Sequence, residues 1–127
     1  MGNKYHARKF TDPVTGDVFD SKAEFIRWCE LRLMEKAGMI SGLQRQVKYE
    51  LLPDQYESCQ RFSVKTGKRL KDGVRLVERG ASYIADFVYT DKNGQTVVED
   101  CKGYKTEAYK LKKKLMLYMN GIRILET

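Results

Sequence analysis

With 127 residues, 42% of them hydrophobic, 32% charged and only two proline, the chain has the composition of one folded domain. That length buries roughly two-thirds of the surface exposed by the unfolded chain. No apolar run approaches the roughly 20 residues of a membrane span, and the basic start lacks a signal peptide's apolar core. One histidine, His6, and three scattered cysteines, Cys29, Cys59 and Cys101, argue against zinc sites, disulfide frameworks and Ser-His-Asp chemistry. The protein is therefore expected in the cytosol of its host cell, away from membranes, and any catalysis must run on carboxylates and lysines. The net charge of +7 favours a polyanionic partner, nucleic acid first.

Residues 1–11 read as a basic arm, and Asp12-Pro13-Val14-Thr15-Gly16-Asp17 as a turn leading into Val18-Phe19. Ser21, with Glu24 three residues on, forms a capping-box pattern that opens a helix running to about Ala37. Gly38 stops that helix, and Phe25, Trp28, Cys29, Leu31 and Leu33 form its apolar face. Ile40–Leu52 alternates as a half-buried strand carrying Gln44 and Gln46, for which hydrogen bonding at a sheet edge is the first expectation and assistance to a site the second. From about 54 to 80 the pattern weakens into a basic, flexible arm with turns at Lys65-Thr66-Gly67-Lys68 and Lys71-Asp72-Gly73, readable as tips of an extended hairpin. It is equally readable as a solvated loop or as an arm along a nucleic-acid backbone.

An acidic hairpin follows. Ser82–Tyr89 places Asp86 among apolar residues, Asp91-Lys92-Asn93-Gly94 turns, and a second apolar run ends Val97-Val98-Glu99-Asp100-Cys101-Lys102-Gly103. Alternation sets Asp100 and Lys102 on one strand face and Glu99 and Cys101 on the other, so Glu99 is left out of the site. If the hairpin pairs in register, Asp86 joins Asp100 and Lys102. Two carboxylates meeting an ammonium make a holder for a divalent metal and an activated water; the dull alternative is a set of ordinary ion pairs. Thr106 then caps a second helix, with Ala108, Leu111, Leu115 and Tyr118 expected to face the sheet. Asn120-Gly121 ends it, and Ile122–Leu125 forms a last strand. A helix joining two strands favours a right-handed crossover and a parallel pair. The expected fold is therefore α+β, a mixed central sheet with a helix on each face, as one domain over 1–127.

Asp86, followed fourteen residues later by Asp100-Cys101-Lys102 across a hairpin, resembles the metal site of the PD-(D/E)XK nuclease superfamily. Lys4-Tyr5-His6-Ala7, Phe19–Glu24, Ala85–Tyr89, Val97–Gly103 and Tyr109–Leu115 together resemble a family of small, nuclease-like phage and prophage proteins. That family is also similar to Holliday-junction resolvases. The resemblance covers nearly all the chain except about 54–80. Ala85 stands where the name-giving proline would be, and Asp100 replaces the commoner glutamate.

The resemblance implies a restriction-endonuclease-like core. It further implies a Mg²⁺- or Mn²⁺-dependent DNA endonuclease acting on branched DNA as a homodimer. Asp86, Asp100 and the backbone carbonyl of Cys101 would hold the metal. Glu24, which its capping pattern alone also explains, would complete the site, and Lys102 would orient the attacking water. Lys4, Arg8, Lys9, Lys105, Lys112 and Lys113 are the residues expected to meet phosphates. Two alternatives stay open: a non-catalytic nucleic-acid-binding accessory protein on a nuclease fold, and a nuclease for nicked, single-stranded or RNA targets.

Overall fold

The computed structural model describes residues 8–127. Eight strands and two helices follow one another: β1 (Phe10–Thr11), β2 (Val18–Phe19), α1 (Lys22–Lys36), β3 (Ser41–Leu52), β4 (Gln55–Phe62), β5 (Arg69–Glu78), β6 (Ala81–Thr90), β7 (Thr96–Asp100), α2 (Glu107–Asn120) and β8 (Leu125–Glu126). The chain divides into two compact units, residues up to Tyr49 together with Tyr83–Thr127, and Glu50–Ser82. Among the described residues no helix is long and apolar enough to cross a membrane.

In the first unit β1 and β2 pair antiparallel across the Asp12–Asp17 turn. The Asp12 carboxylate shapes that turn by accepting from the Val14 N–H and the Thr15 hydroxyl, each at 2.9 Å. Ser21 caps α1 as expected, its hydroxyl accepting from the Glu24 N–H at 3.1 Å. The reciprocal half of a capping box is absent. The Glu24 carboxylate instead accepts from the Asp20 N–H, at 3.3 Å. Gly38 takes the left-handed conformation (φ +76°) that lets the chain leave the helix.

The apolar face of α1 is narrower than the sequence suggests. Leu31 is buried and Trp28 and Met34 are partly so, whereas Cys29 and Leu33, expected on that face, are exposed. Spacings of three residues keep 28, 31 and 34 in one stripe, while 29 and 33, four apart, lie together outside it.

The mixed α+β architecture is centred on a four-stranded sheet in the order β3-β6-β7-β8. β6 and β7 are antiparallel, while β7 and β8, joined through α2, are parallel. Leu31 and Ile40 pack with Phe87 and Tyr89, flanked by Trp28, Met34, Leu43 and Val97, and the Trp28 and Phe87 rings stack with centroids 6.0 Å apart.

α2 starts at Thr106, whose hydroxyl accepts from the Tyr109 N–H at 3.1 Å, and ends at left-handed Gly121. Its buried residues are Tyr109 and Met116, whereas Leu111 and Tyr118, expected to face the sheet, are 57% and 85% exposed. Apolar residues surround the end of this helix from Leu115 to Met119, so periodicity alone could not choose the face. The last strand is Leu125–Glu126 rather than Ile122–Leu125, with Ile124 buried just before it.

The second unit is a two-stranded antiparallel ribbon of β4 and β5, not a loose arm. The turn expected around Lys65–Lys68 is present, closed by Ser63 and Lys68, but Lys71–Gly73 lies inside β5. There Gly73 opposes Cys59, and a methyl group at Gly73 would sit 2.6 Å from the Arg61 side chain. Glycine serves close side-chain approach here, not chain reversal.

Candidate functional site

The register of the β6–β7 hairpin, Phe87↔Glu99 through Thr90↔Thr96, puts Asp86 and Asp100 next in line on one face. Asp86 Oδ2 accepts from the Cys101 N–H at 2.9 Å, which ties the start of one strand to the end of the other. Asp100 is only 1% exposed. Its Oδ2 accepts from the Tyr83 hydroxyl at 2.5 Å. Its Oδ1 has the Lys102 ammonium 3.3 Å away but accepts no hydrogen bond, one of two such buried side-chain atoms among the described residues. Lys102 Nζ also lies 4.7 Å from the centre of the Tyr109 ring.

The first turn of α1 delivers the third carboxylate. Glu24 is 2% exposed and clamped at both oxygens, with Oε2 accepting from the Asp20 N–H and Oε1 from the Gln46 amide, each at 3.3 Å. One carboxylate oxygen from each of Asp20, Glu24 and Asp86 lies within 4.8 Å of the others. Asp20 and Tyr83 were not assigned from the sequence, and the Gln46 contact matches the second rather than the first role expected of that residue. The available signal for Asp20 was its spacing of four residues from Glu24 at the mouth of a helix.

Electrostatics register this crowding. Burial pushes the Asp86 carboxyl up to about 7, helped by the charges of Asp100 and Glu24 and opposed by the Cys101 N–H and Lys102. Burial also raises Glu24, with the charge of Asp20 adding to it. Tyr83 and Tyr109 are raised mainly by burial and then by their hydrogen bonds to carboxylates, so both stay protonated donors. Burial of the Cys101 thiol, with the Asp86 charge beside it, raises its pKa and keeps it a thiol rather than a nucleophile.

A hard divalent cation takes oxygen ligands, and a small number of protein carboxylates suffices for Mg²⁺. Three gathered carboxylates and a buried acceptor atom without a hydrogen bond fit such an ion.

Glu99 behaves as its strand position predicts and belongs elsewhere. It is fully buried and forms a forked pair with Arg27, at 2.8 and 2.9 Å, while also accepting from the Tyr89 hydroxyl and, at 3.2 Å, from Thr127. Burial alone would raise its pKa, but these donors outweigh it and the net shift is downward. It is a structural ion pair.

Of the basic residues, Lys4 lies outside the described residues. Arg8 is exposed, and Lys9 pairs with Asp20 at 3.4 Å. Lys105 and Lys113 both meet Glu126, at 3.1 and 3.0 Å, and Lys112 is half-buried. Donation from Tyr109, then from Lys113, pulls Glu126 down to about 2. Lys105, Lys110, Lys113 and Lys114 border an open groove of about 630 Å³ along α2.

The fold and these contacts define an α+β domain with three clustered carboxylates, Asp20, Glu24 and Asp86, and a buried Asp100–Lys102 pair at one end of a β-hairpin. Residues 2–123 match the family described as "Protein of unknown function (DUF1064)", and the chain belongs to that family. Comparison with curated proteins and with solved structures gives no match.

Proposed function

We propose that this protein is a Mg²⁺- or Mn²⁺-dependent DNA endonuclease that cuts branched DNA, four-way junctions in particular. The single observation that carries this reading is the cluster of Asp20, Glu24 and Asp86, one carboxylate oxygen of each within 4.8 Å of the others, with the buried Asp100 and its Lys102 partner across the hairpin from Asp86. Folding alone does not favour burying Glu24, Asp86 and Asp100 with only one ammonium, that of Lys102, paired to one of them.

Asp86 and Asp100, with the Cys101 carbonyl and Glu24, would hold the ion. When bound, it supplies Lewis-acid polarisation of a phosphoryl oxygen and acidifies a water. Tyr83 fixes one oxygen of Asp100 and leaves the other turned towards Lys102. Lys102 orients the attacking water and offers its charge to the phosphate as negative charge builds there. In-line attack then leaves 5′-phosphate and 3′-hydroxyl ends. The net positive charge draws the DNA in, with the lysines bordering the α2 groove as phosphate contacts. A symmetric junction cut needs two such sites, hence a homodimer.

The test is cleavage of labelled four-way junction, nicked, single-stranded and linear DNA, and RNA, at matched salt, with and without Mg²⁺. Junction cutting that requires Mg²⁺ and falls at least about a hundredfold in Asp86→Ala, with binding kept, is expected. Binding without cutting under any divalent ion makes it an accessory protein instead. Preferential cutting of another substrate in the panel overturns the junction assignment alone.

A further inference from the structure

Gln46 has φ +54°, the only non-glycine with a positive φ among the described residues. An L-residue in this region is uncommon, and such conformations persist where surrounding contacts hold them. A regular strand sends consecutive side chains to opposite faces. Yet Arg45 and Gln46 both reach the segment that opens α1. Arg45 lies over the Phe19 ring at 3.8 Å and donates to the Val18 carbonyl at 3.1 Å, while Gln46 Nε2 donates to Glu24 Oε1 at 3.3 Å. Burial still alternates along β3 through this position, with Arg45 half-buried and Gln46 exposed. The left-handed angle thus coincides with the glutamine amide's contact to the buried carboxylate without reversing the strand's faces.

We infer that Gln46 is a positioning residue for the metal: it fixes the rotation of the Glu24 carboxylate against Asp20 and Asp86. This rests on the metal-site reading above. With one donor on each oxygen, Glu24 keeps an unused lone pair on each, and the plane of the group is set before any ion arrives. Groups that hydrogen-bond to metal ligands commonly contribute ten- to a hundredfold to metal affinity. The neutral amide does so without adding a fourth carboxylate to a crowded acidic cluster.

Gln46→Gly separates this role from a merely structural one, because glycine accepts a positive φ freely but lacks the amide. The measurements are Mn²⁺ binding by electron paramagnetic resonance and the thermal midpoint in EDTA, on the full chain. Glu24→Gln, similar in size but without the charge, serves as a second variant, its fold checked by the same thermal midpoint. The expected result is a Kd for Mn²⁺ raised about tenfold in Gln46→Gly, with a midpoint unchanged or higher, and a comparable or larger loss in Glu24→Gln. Wild-type Mn²⁺ affinity in Gln46→Gly, with Glu24→Gln impaired, overturns the role of Gln46 alone. Absence of Mn²⁺ binding by the wild type overturns this inference together with the metal site.

Discussion

Asp86 carries the clearest conflict between folding and chemistry. Its carboxyl rises from an ordinary value of 3.8 to about 7, through burial first and then the charges of Asp100 and Glu24. Above pH 4 the unfolded chain gives up this proton while the folded protein keeps it until about pH 7. Stability of the metal-free protein therefore falls as pH rises through that window, and the penalty is fully present above it. Glu24, also raised, acts in the same direction. Asn at position 86 has no proton to lose and keeps an oxygen for the Cys101 N–H. Urea unfolding in EDTA should show Asp86→Asn equal to wild type near pH 4 and more stable by a few kcal/mol at pH 8. A wild type that is the more stable of the two at pH 8 would contradict the crowding described here. Asp86, Asp100 and Lys102 were legible in the sequence because strand alternation and a short turn fix which side chains meet. Asp20 was not, since it depends on which neighbour a helix-entry carboxylate approaches. Gln46 was legible only as a second expectation beside Gln44, because no residue pattern announces its backbone angle.

At the level of the elements, adjacent residues on β7 are divided between two purposes by the pleat. Asp100 turns to the site, and Glu99 turns to Arg27 on α1. Arg27→Ala leaves Glu99 buried without its cation, which should cost about 3 kcal/mol at pH 7. The loss should shrink as pH falls, because an unpaired buried carboxylate is relieved by protonation. Denaturant melts at pH 5 and pH 7 check this, and a loss that is small and independent of pH would mean the pair is not what joins α1 to the sheet. The capped starts of both helices, the antiparallel hairpin and the parallel return through α2 were readable from cap residues, turn chemistry and connection length. The buried side of α2 was not, because Leu111, Leu117 and Tyr118 offer apolar surface in directions that only the packed sheet selects against. Of the β4–β5 ribbon only a hairpin tip at Lys65–Lys68 was readable, and dense charge along both strands hid the extent of a pairing made by the backbone.

Across the whole molecule, the charge distribution joins a chain of net charge +7 to a small buried acidic centre. A polyanion is attracted to the first, and a divalent cation between the second and a phosphate would remove their mutual repulsion. The lysines bordering the α2 groove do not all offer full charge, since Lys105 and Lys113 share Glu126. The metal site is thus the claim on which substrate, mechanism and assembly all depend. Anomalous diffraction from crystals soaked in Mn²⁺ tests it most directly. A peak bounded by the carboxylates of Asp86, Asp100 and Glu24 is predicted, and it should vanish in Asp86→Ala. A map with no peak there, or with Mn²⁺ held only at the protein surface, would contradict it.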